Sequence, residues 1–434
     1  MARRKTGVSL NVFLNSRLVG RLERATSGAI SFHYAASWLE WDKALPVSLS
    51  LPLRESRLTG SAVTAYLDNL LPDGEPVRRK IADRVHANGY DAATLLAAIG
   101  RDCVGALQFM PEGQDPGPAG NISGDAISDE EIARRLTELA RAPLGISEDD
   151  EFRISIAGAQ EKTALLRIGG SWHLPHGTTA TTHILKPQLG MLANGIDMSC
   201  SVENEHFCMQ FLSVLGMPAA KTEIVDFAGQ RVLSIERFDR LWTKNGRLLR
   251  LPQEDCCQAL GVHPSTKYES EGGPGIAQIL KILEGSDEAI SDQRLFMQAQ
   301  VVYWLLGATD GHAKNFSLRL MPGGRFYMTP LYDVMSAQPA VDAGQLRQNN
   351  MKFAMAVGSS RHYVVDKILP RHFRQVATRN GIPDATLDEI FTGLLREVPP
   401  AIEKTVAALP DGFPQHLVDS ITTGIKARLR LFEL

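Results

Sequence analysis

Cysteine is scarce in this chain, and so are the pairs that build metal sites. The 434 residues include five cysteines without a C-x-x-C pair, and eleven histidines without an H-x-x-x-H or H-E-x-x-H pair. An odd number of dispersed cysteines fits neither a disulfide framework nor a zinc ribbon, so reduced thiols are expected. The lack of histidine pairs and of a G-x-S-x-G elbow argues against a zinc hydrolase and an esterase.

Long apolar runs and an excess of one charge are also missing. No run of about 18 apolar residues occurs, and Asn11 interrupts the apolar stretch that follows the basic residues Arg3, Arg4 and Lys5. We therefore expect no membrane span and no signal peptide, and a cytoplasmic location. The formal net charge of -3 argues against a uniformly basic nucleic-acid-binding protein, although a local basic patch remains possible.

The composition, 44% hydrophobic and 22% charged, is that of a globular protein, and the length indicates two to four domains. Alternating apolar residues predict strands near the start and at Ile30–Tyr34. Between Gly60 and Gly100, helical spacing predicts one helix that carries the apolar face from Val63 to Leu71 and another at Leu95–Ile99. Strand character returns at Val104–Met110. The Pro- and Gly-rich stretch 111–126 predicts a linker loop.

Beyond this linker, Ser128 and Glu131 have the spacing of a capping box at a helix start. Apolar segments around Gly169-Gly170 and Ala228-Gly229 predict two hairpins, and a helix is expected at Ser201–Leu215. After about residue 250 helices dominate, including one that ends at Gly307.

The segment after Gly307 has the spacing of a phosphoryl-transfer loop. Such a reaction needs one carboxylate to orient the attacking hydroxyl, and a second carboxylate with an amide oxygen to hold magnesium. Asp310 and Asn315 are five positions apart, as in the catalytic loop of protein kinases, and Asp333 follows a predicted hairpin. The alternative for Asp310 and Asn315 is a helix-ending turn with two capping side chains.

Upstream features complete the order expected of a two-lobed kinase. The small-residue segment 155–162 lies between predicted strands, where backbone N–H groups could approach a phosphate. Lys186 ends a strand-like HILK segment, and Glu203 and Glu205 on the following helix could pair with it. Each feature alone is weak, since an exposed lysine and two helix-start acids are common. Their joint order favours a kinase.

At these motifs the sequence resembles the HipA family, the kinase toxins of bacterial type II toxin–antitoxin pairs. The resemblance covers nearly the whole chain. It is carried by SLSLPLRES, YLDNLLPDGEPVR, GRDCVGAL, FRISIAGAQEKTALLRIG, THILKPQ, SIERFDR, RLPQEDCCQALG, KYESEGGPGIA, GATDGHAKNFS and LYDVMSA. It implies an α+β fold, with a small N-terminal α/β domain followed by a two-lobed protein-kinase-like fold whose C-terminal lobe is mostly helical. The expected domains are 1–126, 127–250 (N-lobe) and 251–434 (C-lobe).

The resemblance also implies roles for particular residues. Asp310 would be the catalytic base, Asn315 and Asp333 would hold Mg²⁺, and Ser155 would be the site of an inactivating autophosphorylation. Two added charges beside a phosphate-receiving loop make that inactivation physically plausible. The implied ATP-binding residues are Ala157, Gly158, Ala159, Gln160, Glu161 and Lys162 in a phosphate loop, Lys186 at the phosphates, Glu236, Arg237 and Phe238 at a hinge beside adenine, and His312, Ala313, Lys314, Asn315, Tyr332 and Asp333 in the pocket.

The resemblance implies partners as well. The substrate would be glutamyl-tRNA synthetase, phosphorylated on a serine, with growth arrest as the result. A small HipB-like helix-turn-helix antitoxin dimer would neutralise the toxin, and the two together would repress their own operon, with operator DNA bound mainly through the antitoxin.

One region departs from the family pattern. The family prototype contacts operator DNA with a lysine and an arginine in the region aligned with Val376–Ile382, where this chain has Thr378 and Gly381. Arg379 lies nearby and belongs to a basic run opposed mainly by Asp366; the other members of the run are Arg361, Lys367, Arg371 and Arg374. A phosphate contact by Arg379 and an ordinary solvated helix face are both possible.

Two alternatives to a protein kinase toxin follow from the residues. Antibiotic-type phosphotransferases share the D-x-x-x-x-N…D arrangement, so a small-molecule acceptor is one alternative. The other is a nucleotide-binding corepressor whose main task is to hold an antitoxin on DNA. KYESEGGPG, residues 267–275, receives no chemical role from the sequence and is expected to be a structured loop.

Overall fold

A computed structural model describes residues 7–138 and 162–433 of the chain. Helix and sheet are mixed throughout these ranges, which confirms the expected α+β class. None of the helices in this part of the chain has the length and apolar character required to cross a membrane.

The strands of the described residues are short and mostly antiparallel. In chain order they are β1 Val8–Leu14, β2 Arg17–Arg24, β3 Ile30–Tyr34, β4 Leu58–Thr59, β5 Leu107–Pro111, β6 Gly124–Ala126, β7 Thr163–Ile168, β8 Ser171–Pro175, β9 His183–Pro187, β10 Gly190–Met191, β11 Asp197–Met198, β12 Thr222–Phe227, β13 Gln230–Glu236, β14 Arg240–Trp242, β15 Leu248–Arg250, β16 Gln253–Asp255, β17 Ser317–Leu320, β18 Phe326–Met328, β19 Lys352–Val357 and β20 His362–Val364.

The helices become longer towards the end of the chain. They are α1 Ala36–Leu39, α2 Ser61–Asn69, α3 Glu75–Arg84, α4 Ala92–Ile99, α5 Asp129–Glu138, α6 Ser201–Val214, α7 Cys256–Leu260, α8 Ile276–Leu283, α9 Ala289–Leu306, α10 Gln338–Asp342, α11 Pro370–Arg379, α12 Asp384–Ala407 and α13 Gln415–Leu429.

Contacts divide the chain into two compact units. The first comprises the described residues of Met1–Pro187, together with Val225–Ser265 and Leu318–Phe326. The second comprises Gln188–Ile224, Thr266–Ser317 and the described residues of Tyr327–Leu434. The first unit carries most of the strands, and the second carries most of the helices.

A five-stranded antiparallel sheet opens the first unit, in the order β4-β3-β2-β1-β5. Strand β1 buries alternate residues, Leu10, Val12 and Leu14, as the two-residue period of a half-buried strand requires. Helices α2 and α4 pack against this sheet. The predicted strand at Ile30–Tyr34 is confirmed, and the strand predicted at Val104–Met110 is present as β5.

A six-stranded sheet follows in the same unit, in the order β12-β13-β9-β7-β8-β6. Helix α5 packs on it through Ile132 and Leu136, which share a buried cluster with Leu165, Trp172 and Leu185. Both predicted glycine hairpins are confirmed as β7–β8 and β12–β13. Strand β9 lies inside this sheet between β13 and β7, which fixes the position of its lysine, Lys186.

Three details of this region differ from expectation. The predicted loop 111–126 is wrong at its end, where Gly124–Ala126 pairs with β8 as an edge strand. The capping box is half formed, because the Ser128 hydroxyl accepts the Glu131 N–H at 3.3 Å but the Glu131 carboxylate pairs with Arg134 and Arg135. Helix α3 was also not distinguished, because its residues are mostly charged and only one stripe is buried.

The first unit contains a buried cluster of charged side chains, formed by Asp102, Asp239 and three arginines. Asp102, fully buried, accepts hydrogen bonds from Arg240 at 2.9 Å and Arg250 at 3.0 Å, and from the backbone and hydroxyl of Thr181. Arg237 pairs with Asp239 at 2.7 Å and lies 3.7 Å from Asp102. Burial alone would raise the pKa of Asp239, but the Arg237 and Arg240 guanidiniums lower it to about 2. Asp239 therefore stays ionised at neutral pH.

A second buried acid in this unit lacks a cation and is expected to make stability depend on pH. Burial raises the pKa of Glu254 to about 8, and one of its oxygens accepts the Leu49 N–H at 2.8 Å. The folded state therefore keeps a proton that the unfolded chain releases above about pH 4.5. Its contribution is complete at lower pH and is lost as pH rises towards 8, at about 1.4 kcal/mol per pH unit.

Glu254→Gln, which is neutral at every pH, is expected to remove this slope. Urea unfolding between pH 5 and pH 8 measures it, with Glu112→Gln on the surface as the control. Parallel pH profiles for wild type and Glu254→Gln would show that the buried carboxyl does not titrate in this range.

The second unit is organised around helix α9. Its residues from Ala299 to Leu306 are buried on every side, so the predicted apolar face is part of a helix that is enclosed all round. Helices α8, α11 and α13 contact it, and the indole of Trp304 donates to the Val365 carbonyl at 3.1 Å. Gly307 ends the helix in the left-handed conformation (φ 67°), as predicted.

Candidate active site

The residues after Gly307 form a tight loop at the end of the central helix. Asp310 lies in it, its carbonyl accepts the His312 N–H at 2.8 Å, and the His312 carbonyl accepts the Asn315 N–H at 2.9 Å. Residues Ala313–Asn315 complete a 3₁₀ turn. Asp310 and Asn315 therefore lie in the same hydrogen-bonded loop, as their spacing predicts.

A glycine brings this loop against the helix. A Cβ atom on Gly311 would lie 2.8 Å from a ring carbon of Tyr303, which is closer than van der Waals contact allows. The Tyr303 ring is buried and stacks on Phe316, the residue that follows the loop, at 5.8 Å between centroids. The stacked rings of Tyr303 and Phe316 therefore support the loop.

The Asp310 carboxylate is accessible. Its side chain is 61% exposed, and one oxygen accepts the Tyr268 hydroxyl at 2.5 Å. The buried His312 ring lies 4.0 Å away, and burial lowers the pKa of His312, so this neighbour is a neutral imidazole at pH 7. No lysine or arginine among the described residues pairs with Asp310 within 4.0 Å.

Tyr268 comes from the KYESEGGPG segment, which the sequence left without a role. Its ring packs edge-on against His312, at 4.9 Å between centroids. The next residue anchors the segment, because the Glu269 carboxylate accepts the Ala356 N–H at 2.6 Å and pairs with Arg361 at 3.1 Å. Gly275 leaves room for that carboxylate, which a Cβ atom there would overlap. The segment is structured, as expected, and it contacts the candidate catalytic residue.

Asp333 is brought to the same loop through its backbone. The Asn315 side-chain nitrogen donates to the Asp333 carbonyl at 3.3 Å, so the amide oxygen is the atom of this side chain that could coordinate a metal ion. Asp333 has a positive φ of 61°, a rare conformation for a residue other than glycine. The preceding Tyr332 hydroxyl donates to the Lys314 carbonyl at 2.7 Å and contacts the Ser317 hydroxyl at 2.6 Å.

This arrangement fits a magnesium ion that is shared with phosphates. One amide oxygen and one carboxylate are hard oxygen ligands, and magnesium in kinase sites takes its other ligands from phosphates and water. Clusters of three or more His, Cys, Asp or Glu side chains able to hold a metal do not occur in the described ranges, so a cage made of protein alone is not available there.

Helix α6 holds the segment that follows Asp333. The Asn204 side chain makes two 2.8 Å hydrogen bonds to the backbone of Ser336, and the Ser336 hydroxyl donates to the Leu306 carbonyl at 2.6 Å. Asn204 thus ties α6 to the segment after Asp333, and Ser336 ties that segment to the end of α9. The sequence analysis missed it, although it lies between Glu203 and Glu205, which were singled out. Both glutamates are buried, and Glu203 accepts a hydrogen bond from Gln188.

The predicted phosphate-contacting residues lie in the first unit. Lys186 is 4% exposed and pairs in register with Leu233, so it is not the exposed strand-end lysine that the sequence allowed. Lys162 is also buried, immediately before β7. Ser155 and the other loop residues, Ala157, Gly158, Ala159, Gln160 and Glu161, lie outside the described residues.

In the predicted hinge, polar groups of Arg237 and Phe238 bond to other residues of the protein. The Arg237 side chain belongs to the Asp102 cluster, and its backbone N–H donates to the Thr182 carbonyl at 2.9 Å. The Phe238 carbonyl accepts a hydrogen bond from Arg319 at 2.7 Å. A contact of Glu236, Arg237 or Phe238 with adenine stays a prediction, and the Arg237 guanidinium is already committed elsewhere.

Comparison with known proteins decides the family. Residues 154–402 match the HipA-like C-terminal domain, and residues 10–110 match the HipA N-terminal domain. The chain belongs to the HipA family. It is 30% identical over 421 residues to the serine/threonine-protein kinase toxin HipA of Shewanella oneidensis, covering 93% of this chain and 90% of that protein.

Two further comparisons agree with this HipA assignment. A putative kinase of Sinorhizobium fredii, Y4mE, is 35% identical over 353 residues, which is 80% of each chain. The solved complex of Shewanella oneidensis HipA, HipB and operator DNA contains a chain that superimposes with a TM-score of 0.81 at 26% identity, covering 98% of both chains. The predicted HipA-type kinase fold and enzyme class, a serine/threonine protein kinase, are confirmed.

The basic run that departs from the HipA pattern is partly neutralised. Arg361 pairs with Glu269, and Arg374 pairs with Asp388, so the expectation that Asp366 is the main opposing acid is wrong. Arg379 is exposed at the end of α11. A DNA contact by Arg379 stays a prediction.

Removing the Tyr268 hydroxyl is expected to slow catalysis by this HipA-family kinase. Tyr268→Phe leaves an exposed carboxylate without the hydrogen bond that fixes it, and hydrogen bonds to charged groups contribute about 1.5–3 kcal/mol. We expect kcat to fall about tenfold with KM for ATP unchanged, measured by steady-state phosphorylation of a protein substrate. Tyr327→Phe, on the exposed face of β18, is the control. A faster Tyr268→Phe enzyme would instead mean that Tyr268 competes with the acceptor hydroxyl.

Proposed function

We propose that this HipA-family chain transfers the γ-phosphoryl group of ATP to a serine of a protein and acts as a growth-arresting toxin. The observation that carries the proposal is the loop that follows α9. It presents an exposed carboxylate, Asp310, and it joins Asn315 to the backbone of Asp333. Phosphoryl transfer requires such a base beside a metal-holding amide and carboxylate.

Each side chain has a defined task in this proposal. The Asp310 carboxylate accepts the proton of the serine hydroxyl while the serine oxygen bonds to phosphorus and ADP leaves. Asn315 and Asp333 would hold magnesium, which supplies positive charge against the phosphate oxygens. Lys186 would contact the phosphates from β9. Tyr332 and Asn204 keep the Asp333 segment in place through backbone carbonyls and N–H groups.

The proposed partners are based on a solved complex that contains a relative of this chain. The solved relative is a complex of HipA with HipB and operator DNA. We propose that a HipB-like antitoxin dimer neutralises this chain in the cytoplasm and holds it on operator DNA, with Arg379 as a possible phosphate contact. Glutamyl-tRNA synthetase is the proposed substrate. Autophosphorylation of Ser155 is the proposed means of inactivation, because it adds charge to a segment proposed to receive phosphates.

One experiment tests enzyme and substrate together. The purified, dephosphorylated chain is incubated with magnesium and labelled ATP, alone and with glutamyl-tRNA synthetase, and labelled residues are mapped by mass spectrometry. Label on the synthetase and on Ser155 supports the whole proposal. Label on Ser155 alone retains the kinase but rejects this substrate. Absence of any label rejects the kinase and favours a nucleotide-binding corepressor.

A separate experiment tests the alternative that the chain phosphorylates a small molecule. Aminoglycosides and choline-like alcohols are offered as acceptors under the same conditions. Phosphorylation of these alcohols in preference to any protein would overturn the protein-kinase assignment. Equal operator repression by wild type and Asp310→Asn would show that repression does not need catalysis.

A further inference from the structure

A cavity adjoins the candidate catalytic loop within the second unit. It has a volume of about 300 Å³, and Thr309 and Asp310 form part of its wall. This volume is at the lower end of the range for ligand pockets in proteins. The residue proposed to accept the serine proton is therefore part of the wall of an open cavity.

The lining of this cavity is mainly apolar. Its large apolar side chains come from the β10–β11 hairpin, the segment after Asp333, the segment after α10 and the start of α13: Leu192, Ile196, Met198, Met335, Leu346 and Leu417. Several elements of the second unit thus converge on one apolar space beside Asp310.

Apart from Asp310, several polar groups of the lining are hydrogen-bonded within the protein. Asn204 and Ser336 are hydrogen-bonded to each other, and the Asp197 N–H donates to the Gln345 side chain at 3.0 Å. Such groups have little capacity left for a polar ligand. The apolar part of the lining is thus suited to an apolar group, since the burial of apolar surface is favourable.

We propose that this cavity binds an apolar side chain that flanks the phosphoacceptor serine of a protein substrate. The proposal rests on the kinase function proposed above and deepens it by naming a substrate feature. The occupant follows from position, because a chain whose serine hydroxyl reaches Asp310 places a neighbouring residue at the cavity. A large aliphatic residue such as leucine or methionine fits the lining, whereas a charged residue would lose its hydration there.

Two adjacent residues of helix α10 provide a matched test. Ala340 lines the cavity, and the next residue, Val341, does not. Ala340→Trp fills the space, and Val341→Trp adds the same side chain outside it. A dephosphorylated bacterial lysate is treated with each enzyme and labelled ATP, and modified sites are mapped and quantified by mass spectrometry. Nucleotide binding and ATP hydrolysis without acceptor are measured in parallel.

We expect wild-type sites to share a large aliphatic residue at a fixed offset from the serine. Ala340→Trp should reduce their labelling at least tenfold, in line with the discrimination that one apolar pocket provides. Val341→Trp should preserve it, and nucleotide binding should be unchanged in both. Equal labelling by Ala340→Trp, or sites without a common apolar position, would overturn the cavity proposal and leave the kinase intact. Absence of labelling by wild type would reject the proposed function, and the cavity proposal with it.

Discussion

Asp310→Asn is expected to lower phosphoryl transfer by about 10²–10⁴-fold, the usual contribution of a positioned general base. Asparagine keeps the shape of the side chain and can still accept the Tyr268 hydrogen bond, but it cannot accept the serine proton. The 61% exposed side chain contributes little to packing, so Tm should change by less than about 2 °C. Single-turnover transfer from labelled ATP measures the effect.

Asp411→Asn is the matched control, because Asp411 is an exposed acid in the turn between α12 and α13. This control should retain wild-type rates. Nucleotide binding by Asp310→Asn should also persist, since the proposed metal ligands are elsewhere in the loop. Transfer at more than a tenth of the wild-type rate would remove Asp310 from the role of base.

The largest expected effect on stability comes from Asp102→Ala. The substitution removes the carboxylate that faces Arg237, Arg240 and Arg250 and leaves their charges buried. Losing one partner from a buried ion pair costs about 3–5 kcal/mol. The free energy of unfolding from urea titration at pH 7 should fall by that amount.

Asp125→Ala provides the comparison for this loss. Its carboxylate is 80% exposed and lies 3.2 Å from His176, an arrangement that contributes about 0–1 kcal/mol. A difference of less than about 1 kcal/mol between the two variants would mean that water or a side-chain shift compensates the arginines when Asp102 is absent.

Local patterns were sufficient to predict many elements. Gly307 marked the end of α9, and Gly169-Gly170 and Ala228-Gly229 marked the two hairpins, because turn conformations depend on residue type rather than on distant contacts. Strand β6 and helix α3 were missed because pairing with β8 and one buried stripe decide them. The three-domain division stays a prediction.

Local sequence patterns also predict only part of the candidate site. Asp310, Asn315 and Asp333 were singled out because a known spacing joins them, and the structure brings Asn315 to the Asp333 backbone. Tyr268 is 42 residues from Asp310, and Asn204 is 132 residues from Ser336. No local pattern contains such separations. A polar side chain on a buried helix face, as at Asn204, was the available signal.

The buried arginines also set an order of events during synthesis. Arg240 follows Asp102 by 138 residues and Arg250 follows it by 148. At about 5–20 residues per second, a ribosome needs roughly 7 to 30 s to supply them after Asp102 is made. During that interval the segment between α4 and β5 carries an acid without Arg240 and Arg250, at a position that is finally buried. A nascent chain of this HipA-family protein therefore cannot assemble this buried cluster until translation has passed residue 250.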